Sequence, residues 1–208
     1  MDQDRIIASP EQPDELILLF HGVGSHPDNL LTTGEFIRGL KPNAAIVSVG
    51  APYEFDMGGG LQWFSVSGVT EENRAARINE VMPEFIQRVR RYQAMFLVGY
   101  EHTRLIGFSQ GAIMSLQSVL YEELLAGHVV SLSGRMANYP LMAPVANKTV
   151  HFSFIHGAAD PVIASNQAVN ASNHLKSLGF TTSLSIVPGM AHEINREALA
   201  LLRAELLD

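Results

Sequence analysis

The chain has no cysteine among its 208 residues. That absence excludes disulfides, a thiolate nucleophile and cysteine-ligated metal together, and it fits a reducing cytoplasm, the expected compartment. Basic residues are few: 14 Lys and Arg stand against 21 Asp and Glu, for a net charge of −7. With no basic cluster to neutralise phosphates, nucleic acid is excluded as a partner class. Long apolar runs are missing too. Stretches such as Leu16 to Phe20 fall far short of the roughly 18 residues that a membrane span needs. The opening segment from Met1 to Glu15 is acidic and holds two prolines, unlike the basic start and apolar run of an export signal. What remains is 47% hydrophobic and 17% charged, the composition of an ordinary globular protein. At this length one domain spanning residues 1–208 is expected, burying roughly 70 to 75% of the surface of the unfolded chain.

Short apolar segments bounded by turn residues predict buried strands at 16–20, 45–49, 103–106, 129–132, 150–155 and 183–187. Ile78, Val81, Met82, Phe85, Ile86 and Val89 follow the i, i+3, i+4, i+7 spacing of one helix face. Thr70 can cap that helix, and Pro83 either kinks it or marks its start. Further helices are expected over 110–126, closed by Gly127, over about 165–178, and from Ala191 to the C-terminus. Strand and helix in alternation imply a mostly parallel sheet with helices on both faces. Two loops stand out. Residues 50–69 are rich in glycine and aromatics, including Met57, Trp63 and Phe64, and read as a substrate-pocket loop. Residues 133–149 contain Pro140 and Pro144 and leave no room for a helical cap domain.

Gly107-Phe108-Ser109-Gln110-Gly111 is a G-x-S-x-G sequence between a predicted strand and a predicted helix. That context suits a nucleophilic serine, because a sharp strand-to-helix turn needs small flanking residues to expose the hydroxyl. A serine hydroxyl is weak alone and needs a histidine base oriented by an acid, following in the order Ser, acid, His. The acids between Ser109 and His192 are Glu122, Glu123 and Asp160. The first two lie about thirteen residues down the helix, roughly 20 Å from its start, which leaves Asp160 as the orienting acid. Asp160-Pro161 could alternatively start a helix. Of the two later histidines, His174 falls inside a predicted helix. His192 follows the last strand, at the sheet edge where sites collect, although a surface histidine at a helix start is the plainer alternative. His21-Gly22-Val23-Gly24 closes the first strand, so the Val23 and Gln110 backbone N–H groups are the expected oxyanion hole. The eight histidines show no metal-ligand spacing, and neither metal nor cofactor is expected.

Together, Leu19 to Gly24, Gln62 to Val66, Asn73-Arg74, Gly107 to Gly111, His156-Gly157 with Asp160-Pro161, and His192 resemble the phospholipase/carboxylesterase family of α/β-hydrolases, which includes acyl-protein thioesterases and small bacterial esterases. The resemblance spans nearly the whole chain. It implies the α/β-hydrolase fold, the same triad and oxyanion roles, and a place for Trp63 near the entrance to an acyl pocket. Members often pair through exposed apolar surface, so a homodimer is one expectation it carries. Ala191 departs from it, since many relatives have glycine before the histidine. The expected activity is hydrolysis of short- to medium-chain carboxylic esters through an acyl-enzyme on Ser109. An acyl-thioesterase or (lyso)phospholipase shares that mechanism, and a catalytically inactive binding protein would share only the fold.

Overall fold

In the computed structural model, which describes residues 3–137, 139–140 and 149–207, the chain builds a seven-stranded sheet in the order β1-β3-β2-β6-β7-β8-β9. Strands β2 (Glu15–Phe20), β3 (Ala44–Val49), β6 (Thr103–Phe108), β7 (His128–Leu132), β8 (His151–Gly157) and β9 (Thr181–Val187) run parallel. β1 (Arg5–Ala8) closes one edge antiparallel to β3. A mixed, mostly parallel sheet with helices on both faces is the α/β-hydrolase architecture.

Both faces are covered, so β2 is buried along almost its whole length and alternates its side chains between two cores. Leu16, Leu18 and Phe20 join the core beneath α2 (Glu71–Phe96), α3 (Gln110–Tyr121) and α4 (Asn166–Ser177). Ile17 and Leu19 join the core beneath α1 (Leu31–Leu40) and α5 (Arg196–Leu207). α2 continues through Pro83. Its N-terminus is a capping box in which Thr70 Oγ1 accepts from Asn73 N–H and Asn73 Oδ1 accepts from Thr70 N–H.

Two helix boundaries differ from expectation. α3 stops at Tyr121 rather than Ala126, because Arg90 of α2 takes the Glu123 and Leu124 carbonyls at 3.1 and 3.0 Å and draws that turn away from the helix axis. α5 begins at Arg196 rather than Ala191. Asn195 Oδ1 accepts from Ala198 N–H at 2.9 Å, a side-chain cap that leaves residues 188–194 as a loop. The 50–69 loop carries two short paired strands, β4 (Tyr53–Glu54) and β5 (Leu61–Gln62). Most of the 133–149 connection, and with it the expectation of no cap, lies outside the described residues.

At the N-terminal ends of the parallel strands lies a second polar cluster. Register places His128 beside His151, and their rings stack at 4.6 Å. Glu205 of α5 accepts from Ser153 and Ser183 at 2.5 and 2.7 Å. Because Ser153 donates to Glu205, the His128 Nε2–H donates to Ser153 at 2.8 Å, and His128 Nδ1 accepts from Arg104 at 3.1 Å. Burial, followed by the neighbouring His151 and Arg104, pushes the His128 pKa down to about 3. The unfolded chain therefore binds a proton that the folded one refuses between about pH 6.5 and 3, and stability falls as pH drops through that window. At about 1.36 kcal/mol per unit, His128 alone is expected to cost the fold about 2 kcal/mol on going from pH 7 to 5. Urea denaturation across this range should show the loss, and His128→Gln, which can keep both hydrogen bonds, should reduce it by about that 2 kcal/mol.

Candidate active site

Ser109 sits between β6 and α3 with φ 53° and ψ −116°, a backbone conformation costly for any residue with a Cβ. Close packing imposes it. A Cβ on Gly107 would lie 2.4 Å from Ala112 N, and one on Gly111 would lie 2.2 Å from Phe20 O. The turn can therefore pass this close to the helix and the neighbouring strand only with glycine on each side of the serine. Ser109 N–H donates to Leu132 O at 3.0 Å, and Ser109 O accepts from Ile113 N–H at 3.1 Å.

The loop after β9 brings His192 over this turn, and the loop after β8 brings Asp160 behind it. His192 Nε2 lies 2.8 Å from Ser109 Oγ, and His192 Nδ1 lies 2.7 Å from Asp160 Oδ2. The Asp160 side chain is fully buried. Burial alone would raise its pKa. The hydrogen bonds from His192 and from the Ile163 and Val162 N–H groups outweigh that effect and hold it below the ordinary carboxylate value. An ionised Asp160 fixes the tautomer: Nδ1–H donates to the carboxylate, leaving the Nε2 lone pair to accept the Ser109 proton. Asp160 caps no helix. Its Oδ1 instead accepts from Val162 and Ile163 N–H at 2.8 and 2.9 Å, and Pro161 between them has no N–H to compete.

The structure therefore brings Ser109, His192 and Asp160 together. His174 is elsewhere, on α4, with Nε2 donating to Pro140 O at 2.8 Å. Glu122 and Glu123 lie beyond the far end of α3 beside Arg90. Val23 follows β2 in the turn over the serine, and Gln110 opens α3. Among the described residues neither backbone N–H has a hydrogen-bond partner, so both are free to donate.

Trp63 and Phe64 sit in the inner part of the 50–69 loop. Both are buried, and Trp63 packs against Phe20 and Phe85 with ring centroids 5.5 and 5.2 Å away. Phe64 also lines a cleft with Tyr53, Gln62 and Val81, and a hydrogen bond draws Trp63 inward. The Trp63 indole N–H donates to His21 O at 2.9 Å. Met57 is 68% exposed, in the turn between β4 and β5, away from the aromatic core.

Three side chains with roles around this site were missed by the sequence reading. Gln110 Oε1 accepts from Trp63 N–H and Gln110 Nε2 donates to Phe64 O, both at 2.7 Å, which staples the 50–69 loop to α3. His21 Nδ1–H donates to Gly22 O at 2.7 Å, and its Nε2 accepts from Ala51 N–H at 3.1 Å. Burial pushes its pKa down to about 4, so this imidazole braces the turn as a neutral ring. His156 Nε2 donates to Ile163 O at 2.7 Å and lies 3.3 Å from Asp160 Oδ2, a second imidazole against the same carboxylate. His21 and His156 each stood in a His-Gly pair already singled out in the sequence, whereas the Gln110 side chain carried no signal.

One group among the described residues has metal-ligating side chains close together: His128, His151 and Glu205. Its His128 and Glu205 atoms already serve the hydrogen-bond network at the opposite end of the sheet, and Arg104 donates to His128 Nδ1. The cluster fits a tie between α5 and the sheet better than a cation.

Comparison with known proteins places this geometry among relatives. A family model described as Phospholipase/Carboxylesterase matches residues 1–206. A curated Escherichia coli K12 protein described as esterase YpfH is 44% identical over 195 residues, 93% of this chain and 83% of that one. A Debaryomyces hansenii protein described as acyl-protein thioesterase 1 is 23% identical over 94% of this chain and 91% of its own. The crystal structure of esterase PE8 superposes with a TM-score of 0.86 at 26% identity, covering 99% of this chain and 97% of that one.

Removal of the Gln110 staple should be measurable in the fold itself. Gln110→Leu leaves one buried N–H and one buried carbonyl unpaired, each costing about 1 to 3 kcal/mol. A loss of about 2 to 4 kcal/mol is expected in urea denaturation, with the m-value unchanged.

Proposed function

Because the chain belongs to the phospholipase/carboxylesterase family of α/β-hydrolases, a serine-hydrolase-type family acting on small esters and thioesters, we propose that it is a carboxylesterase with Ser109 as nucleophile. The observation that carries this reading is the continuous chain of hydrogen bonds from Ser109 Oγ through His192 to Asp160, at 2.8 and 2.7 Å.

In the proposed cycle Ser109 Oγ attacks the ester carbonyl while His192 Nε2 takes its proton. The carbonyl oxygen becomes an oxyanion held by the Val23 and Gln110 N–H groups, each of which would contribute roughly 2.7 to 4 kcal/mol to the transition state. Asp160 stabilises the imidazolium. His192 then protonates the leaving alcohol, the tetrahedral intermediate collapses to the acyl-enzyme, and a water activated by His192 releases the acid. Asp160, held below the ordinary carboxylate value, remains ionised throughout neutral pH. The kinship with acyl-protein thioesterases favours thioester hydrolysis as a second reading, since the triad does not read the leaving atom.

Ser109→Ala is expected to lower kcat on p-nitrophenyl butyrate about 10⁶-fold, and Asp160→Asn about 10⁴-fold by presenting the wrong tautomer. Steady-state kinetics on protein with unchanged circular dichroism checks both, and near-wild-type turnover by Ser109→Ala would refute the assignment. Acetate and butyrate esters should outpace emulsified long-chain triglyceride. Equal or faster release of fatty acid from the triglyceride would rule out the short-chain preference.

A further inference from the structure

The acyl-transfer reading above implies where the alcohol half of the ester must lie. His192 protonates the leaving oxygen, so that oxygen has to come within hydrogen-bond reach of Nε2, and the group attached to it must run along a surface that includes His192. A cleft of about 330 Å³ has His192 and Gly22 in its wall. A methyl group on Gly22 would stand 3.2 Å from Ser109 Cβ, so the inner end of the cleft abuts the nucleophile. Its size lies at the low end of the roughly 300–1,000 Å³ of small-molecule sites, enough for a compact alcohol.

The chemistry of the walls is uneven. Phe108, Ile194 and Leu199 give one apolar side, and Phe108 also packs against the His192 ring at 5.0 Å. The turn before α1 and its first residues add Leu30 and four residues with hydroxyl or amide side chains, Ser25, Asn29, Thr32 and Thr33, to the lining. The lining holds no Lys or Arg and one carboxylate, the exposed Glu193 beside the catalytic histidine. Asp28 of the same turn is already paired with Arg5. His21 at the inner end is neutral, and so adds no positive charge.

We propose that this cleft is the leaving-group site and that it takes a small neutral polyol, recognised by hydroxyl and amide groups over an apolar floor, and disfavours phosphate-bearing alcohols. A phosphate there would meet the Glu193 carboxylate and no Lys or Arg. The inference separates the ester reading from a (lyso)phospholipase, whose leaving group carries a phosphate, and from hydrolysis of a coenzyme-type thioester with a polyanionic thiol.

The test compares two esters of one acyl group, glyceryl monobutyrate and the monobutyrate of glycerol 3-phosphate, with p-nitrophenyl butyrate as the reference for acyl transfer itself. At low ionic strength kcat/KM for the neutral ester is expected to exceed that for the phosphate ester by about tenfold, the Coulomb effect of a dianion about 6 Å from one carboxylate in water. Added salt should narrow the gap. Glu193→Gln, which removes the charge, and Thr32→Arg, which adds a cation to the lining, should each raise the phosphate ester relative to the neutral one. A phosphate ester cleaved as fast as the neutral one overturns the proposal. So does a ratio that neither variant moves while p-nitrophenyl butyrate is still hydrolysed. Loss of turnover on all three esters would instead strike down the acyl-transfer reading, and this proposal with it.

Discussion

A serine held at φ 53°, in a conformation costing about 1 to 3 kcal/mol, is the constraint on which the remaining structure converges. The turn survives because it is built into the rigid centre of the molecule. β6 lies between β2 and β7 in the sheet, and every residue of α3 from Gln110 to Val119 is buried. Gly107 and Gly111 let helix and sheet close to distances that no Cβ would permit. Hydrogen bonds then spread outward from the turn. Gln110 ties in the 50–69 loop, Trp63 of that loop holds the His21 carbonyl, and Gly24 and Ser25 pair with Leu61. The two candidate oxyanion donors are thereby fixed relative to each other before any substrate arrives, which is where electrostatic stabilisation of a transition state has its largest effect.

Among the described residues, the charge that enters the core at the site is closely partnered. Asp160 is buried with two backbone N–H donors and two nearby imidazoles. His21 and His128 are buried as neutral rings whose nitrogens are all engaged. The sheet thus has two polar ends with different work. At the C-terminal ends of the strands the polar groups converge on Ser109, and at the N-terminal ends they lock α5 onto β8 and β9.

The parallel strands, and the three residues Ser109, Asp160 and His192 that the structure brings together, were legible in the sequence because each rests on local information. A buried strand is a short apolar run, and elimination singled out Asp160 from three acids. Features decided by distant contacts were not. β1 is four residues that become a strand by pairing with β3, and α1 contains Gly34, Gly39, Thr32 and Thr33, which weaken its helical signal. Trp63 looked like a loop aromatic suited to a substrate groove. Its burial depends on Phe20, Phe85 and Gln110, none of which is near it in the chain. His128 and His151 are 23 residues apart, and only the register of β7 on β8 sets them side by side. The cap of α5 at Asn195 was available as an Asn before a helical run, and it was passed over in favour of an earlier start.

The account centres on one arrangement, in which Ser109 attacks and the Val23 and Gln110 N–H groups receive the resulting negative oxygen. A crystal structure of the protein after reaction with diethyl p-nitrophenyl phosphate tests this most directly. The account predicts phosphorus bonded to Ser109 Oγ, with the phosphoryl oxygen within about 3 Å of both N–H groups. An adduct on another residue, or one on Ser109 whose oxygen turns away from both donors, would contradict it.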